Sequence, residues 1–389
     1  MSILAIGLVN SQNQFMAIKN LLVSEKDAKS TCQNIMTTLP SSVLTRISGS
    51  IGDSAHAQLL TQKLIHQTLQ AVNGDEKERK SFICGLHTKC SCQRKHQEAM
   101  PTHFHQLYRD LQVSFAGRRN EGIRQESLKN RLDDELTEFQ QKVPGIKFLS
   151  NLGSRTGSIG ANATALLVYK EEIQTVCRET IAEIEESNDK KKKETRMPQV
   201  NRLKRILSYL EPSRIQQTMV HLGSHISLWF GIAQRIGKLE NHKFTIREKK
   251  AIIRTCEERY RKLLSETDHG ECYERLLAIT ATADLSETQK RIIKECGESY
   301  LRAPRELKQE VNQYIIDAST EGLKKLLKDT VPYTELEDSD DLVVSTNQMC
   351  ESVFGIYKFY ELQFPSMGID NIEVLTRCAR NKVWNEISL

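Results

Sequence analysis

The spacing of apolar residues changes character near residue 100, and that change limits the folds open to this chain more than any single motif does. Before it, short β-type runs alternate with helical stripes. After it, long helical periodicities take over. Residues 3–9 and 15–23 are two apolar segments separated by the turn-prone Asn10-Ser-Gln-Asn-Gln14, a pattern that predicts a β-hairpin. Ser24-Glu-Lys-Asp27 supplies a cap residue and early acids, so a helix should follow and end at Pro40. A third strand is expected at 45–51, ending at Gly52-Asp53. A helix from Ser54 should then present Leu59, Leu60, Leu64, Ile65 and Leu69 as one stripe. Residues 81–87, Ser-Phe-Ile-Cys-Gly-Leu-His, read as another short strand. Strands alternating with helices make this part α/β.

Helical periodicity marks residues 124–141, 164–186, 200–210, 214–235, 246–265, 272–280, 286–300 and 306–327. The lysine run 190–193 reads as a solvated loop between two of these helices, with a nuclear signal as the other reading. Trp229 and Phe230 are expected in the helical core. The acidic stretch 335–341 reads as a linker, followed by a strongly patterned helix at 342–358. With 389 residues the chain exceeds the roughly 250 that one core usually serves, so two cores are expected.

A chain that is 39% apolar and 27% charged, with net charge +5, has enough apolar residues for a core, which excludes disorder throughout. The apolar stretches 3–9 and 226–232 fall well short of the roughly 20 residues of a membrane span. The first residues have no basic region before their apolar run and are read as a strand rather than a signal peptide. Ten cysteines at irregular spacing suit reduced intracellular thiols, and no disulfide framework is expected.

Several residues carry candidate chemistry. Asp53, at the carboxyl end of a strand, stands where ligands gather in open α/β sheets, or else caps the helix that follows. Cys84 and His87, with Cys90, Cys92 and His96 beyond them, are ligand types for tetrahedral zinc. On a strand, however, Cys84 and His87 differ by an odd number and face opposite sides, which favours a buried thiol and a hydrogen-bonded imidazole over a structural zinc. Glu351 lies near an expected helix start, where a carboxylate is favoured by the helix dipole; a capping box or a solvated glutamate is the other reading. The glycine-rich residues 151–160 match neither the Walker loop nor the dinucleotide fingerprint, although Arg155 can reach a phosphate backbone. Asn162-Ala-Thr164 is a glycosylation sequon, discounted for an intracellular chain. There is no Gly-x-Ser-x-Gly elbow and no His-Glu-x-x-His.

Taken in order, Gly52-Asp53-Ser-Ala-His56-Ala after a strand, Cys84-Gly-Leu-His87, the segment around Arg155, a long helical stretch and Thr346-Asn347-Gln-Met-Cys350-Glu351-Ser-Val-Phe354-Gly resemble the RNase H-like transposases of the hAT type. The resemblance implies an α/β plus all-α fold, an incomplete ribonuclease H-like core interrupted by a large helical insertion. Residues 1–150 would form the amino-terminal part of the core, 151–335 the insertion, and 336–389 the helices that complete the core. It implies that Asp53 and Glu351 are the second and third of three acids that hold Mg2+ or Mn2+ and cut DNA by two-metal chemistry. The first acid has no match, because the hairpin at 3–23 looks like the second and third strands. Either the copy is shortened at its amino end or the chemistry has been lost. The Arg-Trp pair often seen before the insertion is absent, Arg155 being followed by Thr156, and the family's zinc-finger module has no counterpart. The resemblance therefore implies a transposase-derived, DNA-associated, nuclear protein impaired in strand transfer and able to form homo-oligomers. Arg155, Lys204 and Arg205 are its candidate nucleic-acid contacts. An active transposase or nuclease fragment is one alternative. A helical RNA-binding nucleoprotein, suggested by the basic stretches 202–205 and 247–254, is another; a charge of only +5 with glutamates interleaved weakens its electrostatic basis.

Overall fold

The computed structural model describes residues 2–9, 15–23, 27–52, 56–74, 79–116, 128–136, 146, 148, 158–241, 243–265, 269–342 and 363. They are mostly helical, with one antiparallel and one parallel pair of strands. The chain divides into two compact units. The first comprises Met1–Thr88, Ile236–Arg254 and Leu326–Leu389, and the second Lys89–Arg235 and Thr255–Lys325.

In the first unit, β1 (Ser2–Val9) and β2 (Phe15–Val23) form the expected antiparallel hairpin. Their register shifts between Ile6 and Gly7, which leaves Ile18 as the extra residue of a bulge. Helix α1 (Ala28–Thr38) is capped by Asp27, whose carboxylate accepts from the backbone N–H groups of Lys29 (2.8 Å) and Ser30 (3.0 Å). The expected strand at 45–51 is shorter than its pattern suggests. Pro40 starts a brief helix, α2 (Ser41–Leu44), and only β3 (Gly49–Gly52) is extended. Helix α3 (His56–Asn73) then leads to β4 (Lys80–Ile83), which pairs parallel to β3 from Gly49↔Lys80 to Gly52↔Ile83. Cys32, Leu39, Leu44, Ile65 and Leu69 form the core between α1, α2 and α3. Of the stripe read on α3, Ile65 and Leu69 are buried and Leu59 and Leu64 half-buried, but Leu60 is exposed while Thr61 and Gln62 are buried. Polar anchoring accompanies this: Gln62 Nε2 donates to Phe82 O (3.2 Å), and the His66 ring lies between Ser50 Oγ (3.0 Å) and Ser81 Oγ (3.4 Å). Burial, then the nearby Arg79 charge, holds the His66 imidazole below its ordinary pKa.

β4 ends at Ile83, not at His87 as the sequence suggests. Residues 85–98 are helix α4 (Gly85–Glu98), followed by α5 (Thr102–Phe115) and α6 (Lys129–Glu135). The helix expected over 164–186 is two, α7 (Ser158–Val168) and α8 (Lys170–Glu185), divided at Tyr169, whose ψ of 28° is not helical. α9 (Lys190–Leu210) begins ten residues earlier than its apolar pattern does and runs through Pro198, so the lysine run is its first turn rather than a loop. α10 (Ile215–Leu228) passes into a π turn (Trp229–Ala233) and α11 (Gln234–Gly237). Within that turn Arg259 Nη1 donates to the Gly231 carbonyl at 2.5 Å, and Trp229 and Phe230 are buried as expected. α12 (Ile246–Leu264), α13 (His269–Ala281), α14 (Glu287–Leu301) and α15 (Arg305–Thr334) follow, close to their predicted positions.

Ser286 opens α14 with a reciprocal capping box: its hydroxyl accepts from Gln289 N (3.3 Å), and Gln289 Oε1 accepts from Ser286 N (2.9 Å). Ser286→Ala should cost about 1 kcal/mol of stability in denaturant unfolding. An unchanged midpoint would show the cap to be idle. Asn162 is fully buried in α7, so the sequon lies inside the fold. The eight described cysteines are free, all but Cys90 buried. Among the described residues no helix is long and apolar enough to cross a membrane.

Candidate functional site

The two parallel strands deliver their carboxyl ends side by side, with Cys84 N donating to Gly52 O at 2.9 Å just beyond the last paired residues. Asp53 follows Gly52 directly in the chain. It lies outside the described residues, as do Arg155 and Glu351. The Cys84-Gly-Leu-His87 element is described in full, and it is a strand-to-helix corner. Cys84 is fully buried at the end of β4, and its carbonyl accepts from Thr88 N (3.0 Å) in the first turn of α4. His87 is on that helix, which removes the opposite-face argument made for a strand. Gly85 sits against the backbone of Leu239 and Glu240. A Cβ there would fall 2.8 Å from Leu239 C and 2.7 Å from Glu240 N. Tyr333 closes the corner from α15, donating to Ile83 O (3.2 Å) with its ring centroid 5.0 Å from that of Phe82. Among the described residues no three His, Cys, Asp or Glu side chains gather into a group able to hold a metal.

The stretch 335–341, read as a linker, is fastened to the start of α12 within the same unit. Lys250 Nζ donates to Leu336 O (2.6 Å) and to Asp338 Oδ1 (2.5 Å), and Arg254 pairs with the other Asp338 oxygen at 3.7 Å. Arg247 pairs with Asp340 at 3.0 Å. The backbone N–H groups of Ile246 and Arg247, which have no partner within a helix that starts there, donate to Asp341 O (2.9 Å) and Ser339 O (3.2 Å). A bridge between Thr245 and Leu342 follows, and Lys80 on β4 pairs with Glu335 at 3.0 Å. The Lys250 hydrogen bond, with the Arg254 and Arg247 charges behind it, holds the Asp338 carboxyl below the usual carboxylate range. In the sequence the basic stretch 247–254 and the acidic stretch 335–341 stand far apart. Their opposite charge was the available signal that they meet.

In the second unit, both predicted cations of α9 have acidic partners. Arg205 makes a two-pronged contact with the buried carboxylate of Asp110 (2.9 and 3.1 Å), and Lys204 Nζ pairs with Glu185 at 2.8 Å. Deeper in this unit, His96 Nε2 and Tyr260 Oη are 2.7 Å apart, and His225 Nδ1 and Tyr314 Oη 2.8 Å. All four side chains are buried. Glu310 lies 3.2 Å from His221 Nε2 without making a hydrogen bond to it. Burial drives all three imidazoles down, His96 to about 3 and His221 and His225 to about 4, and neighbouring histidines add to the effect. At Gly322 any Cβ would meet Tyr260 Oη at 2.6 Å and His96 Nε2 at 2.8 Å, so glycine makes room for that pair. These rings are sealed from solvent and serve packing. No protein-family model, curated protein or solved structure matches the chain.

Proposed function

We propose that this chain is a DNA-associated derivative of a hAT-type transposase, with a ribonuclease H-like scaffold and little metal-dependent strand transfer of its own. The observation that carries the reading is the first unit's parallel β3–α3–β4 arrangement, with β3 ending one residue before Asp53. The antiparallel hairpin ahead of it, and the long helical run between β4 and the residues that return to this unit, support the same reading.

Asp53 and Glu351 are the acids that would hold Mg2+ or Mn2+, hard cations suited to carboxylate oxygens. Such an ion, when bound, supplies Lewis acidity to the phosphate and an activated water. Two carboxylates hold a hard cation less firmly than three, because ligand charge sets affinity. The stretch as given offers no match for the first acid.

The test compares this chain with Asp53→Asn on branched and hairpin DNA, with Mg2+ or Mn2+ present, measuring binding and cleavage separately. Both proteins should bind, and they should cleave equally little. Strong cleavage that disappears in Asp53→Asn would replace this proposal with that of an active transposase. Absence of DNA binding would end the DNA assignment altogether.

A further inference from the structure

We infer that residues 335–341 are an internal polyanion that covers a phosphate-binding face of α12, so that DNA must displace them to reach Arg247, Lys250 and Arg254. The inference rests on the DNA-associated reading and adds to it a place and a control.

Arg247, Lys250 and Arg254 are spaced i, i+3 and i+7, which sets them along one face of the helix. Such a row suits the regular charge of a nucleic-acid backbone. Five of the seven residues at 335–341 are acidic, which is more negative charge than the three cations need. The same seven residues occupy the Arg247, Lys250 and Arg254 side chains with carboxylates and the Ile246 and Arg247 amides with carbonyls.

The contacts differ in how easily they exchange. In the Arg247–Asp340 pair the side chains are 60% and 74% exposed, and Arg254 is 62% exposed beside Asp338 at 47%. Exposed pairs of this kind contribute little each and weaken with salt. A polyanion that releases counterions on binding can therefore replace them. Lys250, only 11% exposed and bonded to both Leu336 O and Asp338, is the last of the three to be released.

The test is DNA binding by fluorescence anisotropy over a range of salt, using a labelled duplex and the full chain. Asp338→Asn with Asp340→Asn should tighten binding roughly tenfold and steepen the salt dependence by up to about two contacts. Glu287→Gln with Glu298→Gln changes net charge equally at exposed sites of α14 and should give no such gain. Adding Arg247→Gln and Arg254→Gln to the first pair should cancel it. Asp340→Asn alone, at the more exposed of the two acids, gives a smaller gain and guards against misfolding of the double variant. In the unmodified chain, saturating DNA should speed hydrogen exchange at the Ile246 and Arg247 amides.

Equal gain in the α14 control, gain that survives loss of the arginines, or amides that stay protected under saturating DNA would each overturn the inference. If the unmodified chain binds DNA and the neutralised variants bind no better, the inference alone fails. If no variant binds DNA, the function proposed above fails with it.

Discussion

The helical second unit should unfold as the pH falls from about 6.5 toward 4, well before its carboxylates alone would require it. His96, His221 and His225 are buried as neutral rings, with pKa values of about 3, 4 and 4. An unfolded histidine titrates near 6.5. The unfolded chain therefore takes up protons that the folded one refuses, so the stability these rings contribute is complete above about pH 6.5 and drains away below it. By pH 4 the loss approaches about 3 kcal/mol for each ring. A domain holds only about 5–15 kcal/mol in total, so two or three such rings consume most of it. Circular dichroism at 222 nm across pH 7 to 3 measures the transition. His96→Gln with His225→Gln removes two titrating groups while leaving a side chain that can hydrogen-bond to Tyr260 and Tyr314, and it should move the acid midpoint down by at least about half a pH unit. A midpoint that stays where it was would mean that other groups govern acid unfolding.

Gly85→Val should strongly destabilise the first unit. The new Cβ would land within 2.8 Å of Leu239 C and 2.7 Å of Glu240 N, both backbone atoms of a segment that cannot step aside by rotating a side chain. Overpacking of cores typically costs about 1–3 kcal/mol, and a clash with main chain on two residues belongs at or above the top of that range. Gly85→Ala meets the same atoms and should lose about 2 kcal/mol or more, although alanine in place of glycine is normally a gain inside a helix. The contrast is with Gly74, where a Cβ meets nothing within 4 Å but φ is +60°. Gly74→Ala should therefore cost only about 1 kcal/mol, through backbone strain. Thermal melts of the three variants rank the two mechanisms. Gly85→Ala as stable as the parent would show that the corner can open.

Several helices of the second half were legible because they bury an apolar stripe. α12 is one, with Ile253, Cys256, Tyr260 and Leu263 buried, although Lys249 and Lys250 near its start are buried as well. α4 was not legible, for its buried positions include His87, Thr88, Ser91, Gln93 and His96, which no hydrophobic count detects. Its start was masked as well, since Phe82-Ile-Cys84 runs without a break into Gly85-Leu86. The lysines at 190–193 misled in another way. Cations at a helix start oppose the dipole and signal no cap, yet Val200, Leu203 and Ile206 further along are buried and hold the helix in place. The fastening of residues 335–341 to α12 is a long-range pairing between two charged stretches that each look solvated on their own. Of the candidate site, the strand ahead of Asp53 was legible in part, since 45–51 was expected and Gly49–Gly52 is extended, while the corner at Cys84 was not, because residues 81–87 read as one strand. Residues Gly85 to His87 are helical instead, and the close approach of Gly85 to Leu239 and Glu240 is a tertiary contact that a linear sequence does not display.

Tyr333 and Ile83 are joined by a hydrogen bond across 250 positions. For the unit they share, the order of synthesis and the order of completion are reversed. β4 is made 250 residues before the ring that covers it, with most of the helical portion synthesised in between. Closing so long a loop costs entropy that increases with the logarithm of its length, and prior folding of the intervening helices shortens the effective loop. The β3–β4 pair is therefore covered only after Tyr333 has been made, and a ribosome that stops before Tyr333 releases it open.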